Sequence, residues 1–298
     1  MNMQQVMEKF NAYAEYVDAY IEKTAVTRAN SVPTELFEAM EYSLAAGGKR
    51  LRPMLCLAAA EACGCSRETA MPIALGYEMV HTASLIHDDL PCMDNDDMRR
   101  GKPSNHAKFG ETLAVLAGDA LMVEAVSYTL KFTTGVQPER LLNAVRIFTQ
   151  AFGPSGVCGG QVLDINSSLA GREPDYVRKV AALKTGELIK AALMSGAALG
   201  TNDDKTLAIF EEYGRHLGAA FQIIDDILDV TTTAEQLGKT PGKDAEQGKV
   251  NYVTAYGLEK ACDFAKEESE AARDIIAELL GEESFLAQLP ITLLERTK

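Results

Sequence analysis

Two acidic clusters are the residues of this chain best suited to do chemistry: Asp88-Asp89-Leu90-Pro91-Cys92-Met93-Asp94 and Asp225-Asp226-Ile227-Leu228-Asp229. Carboxylates at this spacing gather hard divalent cations, and Mg²⁺ is typically held by one or two carboxylates completed by substrate phosphates. Each cluster ends an apolar stretch of helical pattern, Met79 to His87 in the first case and Ala219 to Ile224 in the second. Negative side chains at the carboxyl end of a helix oppose its macrodipole, so a solvated acidic face is a poor explanation for two such placements. A calcium loop does not fit: counted from Asp94, Arg99 stands where the loop needs Gly and Asn105 where it needs Glu. Basic residues accompany the acids, with Lys49, Arg50 and Arg52 upstream and Arg99, Arg100 and Lys102 behind the first cluster. Carboxylates beside a basic field point to a diphosphate held through Mg²⁺.

Helices must carry these groups. Gln222, Asp225, Asp226 and Asp229 fall at i, i+3, i+4 and i+7, which is one helix face, and His81, Ser84, Leu85 and Asp88 repeat the spacing. Two helices can therefore turn polar faces to a shared cavity. Lys184-Thr185-Gly186-Glu187 is a polar break in a third, otherwise apolar helix. Helical period dominates the rest of the chain and strand alternation is scarce. Ser31 and Pro33 open a helix that Gly47-Gly48 closes, Pro53 begins one that Gly64 ends, and a long one runs from Arg67 to Asp89 and stops at Pro91. Residues 91–110 read as a polar loop. Helices follow near 111–133, 139–152, 156–170, 174–200 and 203–230. A long loop from Thr231 to Asn251 carries Gly238-Lys239 and Gly248-Lys249, and a loop of that length inside a compact domain points to function. With no low-complexity linker and no fixed repeat, residues 1–298 are expected to form one all-α domain.

Composition narrows the classes. The chain is 47% hydrophobic with a formal charge of −14, which disfavours nucleic acid and anionic membranes as partners. An anionic ligand must therefore meet a local positive field. Six cysteines form no Cys-x-x-Cys pair and read as reduced thiols. No signal peptide is legible at Met1-Asn2-Met3, and no uninterrupted apolar run reaches the ~18 residues a membrane span needs. The expectation is a cytoplasmic protein without a membrane span.

With these residues in view, the sequence resembles the trans-isoprenyl diphosphate synthases, the short-chain polyprenyl synthetase family, from about Phe37 onward. Gly47-Gly48-Lys49-Arg50-Leu51-Arg52-Pro53, the stretch from His81 to Arg100, Lys184-Thr185, Phe221-Gln222, the second Asp cluster, Lys239 and Lys249 occur in family order. The resemblance implies a bundle of long antiparallel helices around a deep central cavity, usually a homodimer, that joins isopentenyl diphosphate to an allylic diphosphate. It assigns Asp88, Asp89, Asp94, Asp225 and Asp229 to Mg²⁺, with Asp226 in support. Arg99, Lys184, Lys239 and Lys249 would hold the allylic diphosphate, and Lys49, Arg52, His81 and Arg100 the isopentenyl diphosphate. Thr185 and Gln222 would turn oxygen dipoles toward the allylic cation. A class I terpene cyclase would lack the Gly47–Arg52 segment, and a noncatalytic subunit would lose an aspartate motif; both are intact here.

Product length is expected to depend on the pocket below the first cluster. Farnesyl-forming relatives of this type carry an aromatic residue five positions before the first Asp, where this chain has Ala83 followed by Ser84. The small side chain predicts an open pocket and a twenty-carbon product, with fifteen carbons as the alternative. Met79 is expected to form a deeper floor.

Overall fold

The computed structural model describes residues 1–30, 32–166, 175–231 and 250–295, and these are helical almost throughout. α1 (Met3–Ala29), α2 (Thr34–Leu44), α3 (Leu51–Ala62) and α4 (Arg67–Asp88) lead to the first acidic cluster. Gly64, at φ +80°, lets the chain reverse between α3 and α4, and the Ser66 hydroxyl caps α4 by accepting from the Thr69 amide at 3.2 Å. α4 ends at the expected acids, and the turn beyond it folds straight back. The Asp94 amide donates to the Asp88 carbonyl at 2.9 Å and the Asp96 amide to the Asp89 carbonyl at 3.1 Å.

Residues 91–110 are more ordered than the plain loop expected of them. Met98–Arg99 and Lys102–Pro103 pair as a two-stranded antiparallel hairpin, β1 and β2, and α5 (Asn105–Phe109) follows. Arg100 and Gly101 both have positive φ, +52° and +73°, the requirement of a two-residue turn that matches strand twist. An arginine in that position is not a turn signal, which is why the hairpin was not legible.

α6 (Glu111–Phe132), α7 (Pro138–Phe152) and α8 (Val157–Ile165) come next. α9 (Tyr176–Val180) runs through a π-helical segment, Ala181–Gly186, into α10 (Glu187–Gly200). α11 (Asp204–Thr231) carries the second cluster, and α12 (Tyr252–Tyr256), α13 (Leu258–Leu280) and α14 (Phe285–Leu294) close the described chain. The loop containing Lys239 and Lys249 lies outside the described residues.

α3 and α4 are buried on most of their surface, which explains why their apolar residues run nearly unbroken rather than in a stripe. α6 lies antiparallel to α4: Gly118 abuts His87, and Gly76 abuts Thr129 and Ala125. Among the described residues α6 alone is long and apolar enough to cross a membrane, but Asp119 and Glu124 interrupt it and its inner face is occupied by α4.

The π-helical segment and α11 meet backbone to backbone. A Cβ on Gly218 would stand 2.6 Å from the Gly186 Cα, closer than packed atoms allow. This approach sets the spacing between Thr185 and Gln222. Gly218→Ala should push α11 away, lower stability by about 1–3 kcal/mol in chemical denaturation, and reduce turnover by separating that pair. Unchanged stability and turnover would remove the close approach from the account of the site.

Candidate active site

A cavity of about 370 Å³ lies among α3, α4, α6, α8 and the π-helical segment. Arg52, His81, Asp88, Gln161, Lys184 and Thr185 line it together with Leu85, Met122, Val157, Val162 and Ile165. Charged and apolar side chains thus share one space, the combination that a molecule with an anionic head and a hydrocarbon tail requires.

Asp88 stands at the junction. Gln161 donates to its Oδ1 at 2.8 Å. Burial raises its carboxyl from the ordinary 3.8 to about 6; Lys184 and Arg99 pull it down, while Asp94 and Asp89 push it up. Asp89 is placed differently from its assignment. It is buried and holds Arg99, whose Nε lies 3.0 Å from Oδ1, and both line a separate small cleft behind α4. In this arrangement Asp89 neutralises Arg99 instead of sharing a metal with Asp88, and Arg99 is not among the groups lining the main cavity.

The second cluster divides in the same way. Asp226 is buried, accepting from Gln222 Nε2 at 2.8 Å and from the Tyr252 amide at 2.9 Å, so it braces α11 against the start of α12. Asp225 meets Lys49, whose Nζ lies 3.6 Å from its carboxylate and 5.4 Å over the Phe221 ring. Asp229, one turn further along α11, is half-buried. Among the described residues, no three acidic, histidine or cysteine side chains converge closely enough to hold a metal unaided. A divalent ion here needs phosphate oxygens to complete its shell, as Mg²⁺ characteristically does.

The π-helical segment explains how Lys184 and Thr185, adjacent in sequence, both reach the cavity. A π-turn widens the helix, and such turns recur at functional sites. Lys184 Nζ pairs with Asp164 at 2.5 Å, and the Thr185 hydroxyl donates to Gln222 Oε1 at 2.6 Å. Sequence reasoning missed Gln161 and Asp164. Their signal was present: two polar residues at i and i+3 behind Gly159-Gly160 in a short apolar helix, where Gly160 presses directly on the Lys184 backbone.

The basic side is held under tension. Arg52 Nε is sealed from solvent and has no hydrogen-bond partner among the described residues. Burial lowers its guanidinium to about 10, against the pull of Glu78 and Asp225. His81 lies well below its ordinary range through burial and the neighbouring Arg52, Arg100, Arg50 and Arg99, so it is neutral at physiological pH. Arg100 bonds the Gly47 carbonyl and lies under Gly48, where a Cβ would come 2.7 Å from the guanidinium. A buried guanidinium nitrogen left without a hydrogen bond is costly and attractive to an anion.

The chain-length residues divide around α4. At 100° per residue, Ser84 lies about 40° from Asp88 around α4, Ala83 about 140° and Met79 about 180°. Ser84 lines the cavity accordingly. Ala83 is fully buried on the stripe Gly76, Val80, Ala83, His87, whose two ends press on α6, and Met79 lies on the far side of the helix from Asp88. Neither lines this cavity; counting residues back from the motif overlooked the rotation.

A helical bundle with such a cavity suits a ligand that has an anionic head and an apolar tail. The same fold is found in a geranyltransferase from Legionella pneumophila, with a TM-score of 0.85, 28% identity, and coverage of 99% of this chain and 98% of that one. A chloroplastic geranylgeranyl pyrophosphate synthase of Catharanthus roseus is 42% identical over 274 residues, 90% of this chain and 76% of that protein. A dimethylallyltranstransferase of Fischerella ambigua is 45% identical over 264 residues, 88% of this chain and 75% of that protein. Residues 33–285 match the polyprenyl synthetase family, and the chain belongs to it: it is a prenyltransferase that elongates prenyl chains.

The raised carboxyl of Asp88 has a consequence for stability. The folded state binds that proton more tightly than the unfolded chain, so ionising Asp88 costs folding free energy as pH rises from about 4 through about 6. The rise from 3.8 to about 6 corresponds to roughly 3 kcal/mol. Asp88→Asn should therefore raise the Tm of the chelator-treated protein at pH 7.5 and leave it unchanged near pH 4, while abolishing turnover. Calorimetry at the two pH values checks this; equal shifts at both would contradict a charge-based cost.

Proposed function

We propose that the enzyme condenses isopentenyl diphosphate with an allylic diphosphate in a Mg²⁺-dependent head-to-tail elongation, and that its principal product has twenty carbons. The observation that carries this reading is a cavity lined together by Arg52, whose Nε has no hydrogen-bond partner among the described residues, by neutral His81, by Asp88 and by apolar side chains. Isopentenyl diphosphate would meet Arg52 and His81 in the cavity, with Arg100 and Lys49 as nearby cations outside its lining. The allylic diphosphate fits between the two acidic clusters, next to Lys184. Asp88 and Asp94 on one side and Asp225 and Asp229 on the other are the residues that would hold Mg²⁺, and their incomplete shell suits an ion shared with phosphate. Bound there, Mg²⁺ supplies positive charge to a leaving diphosphate.

The residues of the chain account for the other requirements. The allylic C–O bond breaks with its electron pair leaving on diphosphate, where Lys184 can exchange its contact with Asp164 for phosphate oxygen. Thr185 and Gln222 present oxygen dipoles to the resulting allylic cation. The double bond of isopentenyl diphosphate supplies the electrons for the new C–C bond, and the departing diphosphate takes the proton lost from the adjacent carbon. His81, held neutral, adds a hydrogen bond to the basic side without adding charge.

Two further readings belong here. The twenty-carbon product is supported by the small Ser84 at the cavity wall and by relatives named for geranylgeranyl diphosphate; a fifteen-carbon product is the alternative. A homodimer is supported by α6, which leaves Leu116, Val123 and Leu130 exposed at i, i+7 and i+14. Such an apolar stripe is suited to a second copy of the same helix.

Chromatography of dephosphorylated products, formed from isopentenyl diphosphate, Mg²⁺ and each allylic primer, tests the reaction and its length. A twenty-carbon alcohol is expected; growth ending at fifteen carbons overturns the product assignment, and a hydrocarbon formed without isopentenyl diphosphate overturns the reaction. Ser84→Phe should shorten the product by filling the cavity. Ala83→Tyr should instead overpack α4 against α6 and lower stability by about 1–3 kcal/mol. If Ala83→Tyr shortens the product with full stability and Ser84→Phe does not, the cavity wall has been misassigned.

A further inference from the structure

Between Lys49 and Arg52 stands a third cation that faces the other way. Arg50 is 2% exposed, and its guanidinium is fully used: Nη1 lies 2.5 Å from Glu78, Nε 2.8 Å from Asp18, and Nη2 2.9 Å from the Leu44 carbonyl. Its backbone is left-handed, at φ +49°, immediately before the first residue of α3. That conformation is unfavourable for a residue with a Cβ and persists only when the surroundings impose it. Here they do, because the side chain is anchored on α4, α1 and the end of α2 together.

The anchor bears on function through where its partners sit. Arg50 occupies the position just before α3 without a side-chain capping bond, so its backbone conformation sets how the first turn carrying Arg52 leaves the loop, while the preceding Lys49 reaches Phe221 and Asp225. Glu78 is 1% exposed and stands on α4 three residues before His81. Asp18 is contributed by α1, which lies outside residues 33–285 matched by the family. Buried ion pairs stabilise folds poorly compared with apolar groups of the same size, so fold stability alone is a weak reason for Arg50–Glu78. Holding three separately carried groups in register is a stronger one, since small misplacements of binding groups are costly.

We propose that Arg50 is a positioning residue of the isopentenyl diphosphate pocket, acting through Glu78 and Asp18 to hold Lys49, Arg52 and His81 in a fixed relation; this rests on the reading of that pocket given above. The test compares KM for isopentenyl diphosphate, KM for the allylic substrate and kcat in Arg50→Lys, Glu78→Gln and Asp18→Asn, with Arg52→Ala as reference. Arg50→Lys and Glu78→Gln should raise KM for isopentenyl diphosphate about tenfold, and Asp18→Asn about threefold, with the allylic KM within about twofold of wild type. Arg50→Lys added to Arg52→Ala should raise that KM by less than the product of the single effects, because one acts through the other. Asp18 is 44% exposed, so its variant keeps the test open even where a buried substitution prevents folding. Unchanged KM in folded Asp18→Asn and Glu78→Gln, alongside a raised KM in Arg52→Ala, overturns the proposal and keeps the pocket. Fully multiplicative effects also overturn it. An unchanged KM in Arg52→Ala overturns the pocket itself, and the proposal with it.

Discussion

Charge removed from water is the constraint around which this protein is built. Asp88 is half-buried at the carboxyl end of a helix, close to Asp89 and Asp94, so burial, helix dipole and carboxylate neighbours oppose its ionisation, and Lys184 and Arg99 only partly offset them. Arg52, which lines the same cavity, has its charge opposed by burial and favoured by Glu78 and Asp225. Bringing these groups directly together would quench both. The fold instead sets each against a different neighbour: Asp88 receives the neutral amide of Gln161, Lys184 takes Asp164, Lys49 takes Asp225, and Asp89 takes Arg99. What remains is a cavity whose two signs of charge are close but unspent.

These pairings differ in depth. Asp89–Arg99 and Arg50–Glu78 join groups that are buried or nearly so, and removing one member of such a pair leaves an uncompensated charge. Lys49–Asp225 is 49% and 40% exposed and contributes little to stability. Lysine is suited to a contact that must be exchanged, being a compact point charge on a flexible stem, whereas the arginines use several donors at once and serve as fixtures. Movable and fixed cations can therefore be told apart from burial and side-chain chemistry.

The sequence disclosed most of the helices because their apolar period and their Pro, Gly and Ser boundaries are local signals; the Ser66 cap and the end of α4 at Asp88 are examples. It disclosed the motif residues because acids and bases at helical spacing stand out from an apolar background. What it did not disclose depends on direction. Ala83 and Met79 lie at the expected depth but on the wrong side of α4, and Asp89 turns away from its neighbour because successive helical residues point about 100° apart. The π-helical segment leaves no compositional mark, since Ala181-Ala182-Leu183 suits an α-helix equally well. Gln161 and Asp164 were readable as a spaced polar pair, yet each looks ordinary until its partner on another helix is known.

One helix joins the two tasks of the enzyme. The face of α4 that carries Asp88 continues back through Ser84 to His81, so the acidic end, the cavity wall and the basic side are fixed on a single rigid rod. Successive residues on that face are spaced by roughly one turn, about 5.4 Å. The cavity lining along this face therefore changes in steps of one side chain, while Asp88 stays where the helix terminus puts it. The neighbouring stripe of α4 packs on α6 at Gly76 and at His87, where Gly118 leaves room for the imidazole and no more, and His87 also borders the cavity. Bulk added on the cavity face alters the space offered to substrate, and bulk added on the α6 face strains the bundle. Two neighbouring residues, Ala83 and Ser84, thus stand in different surroundings, one buried in the packing of the protein and the other on the cavity wall.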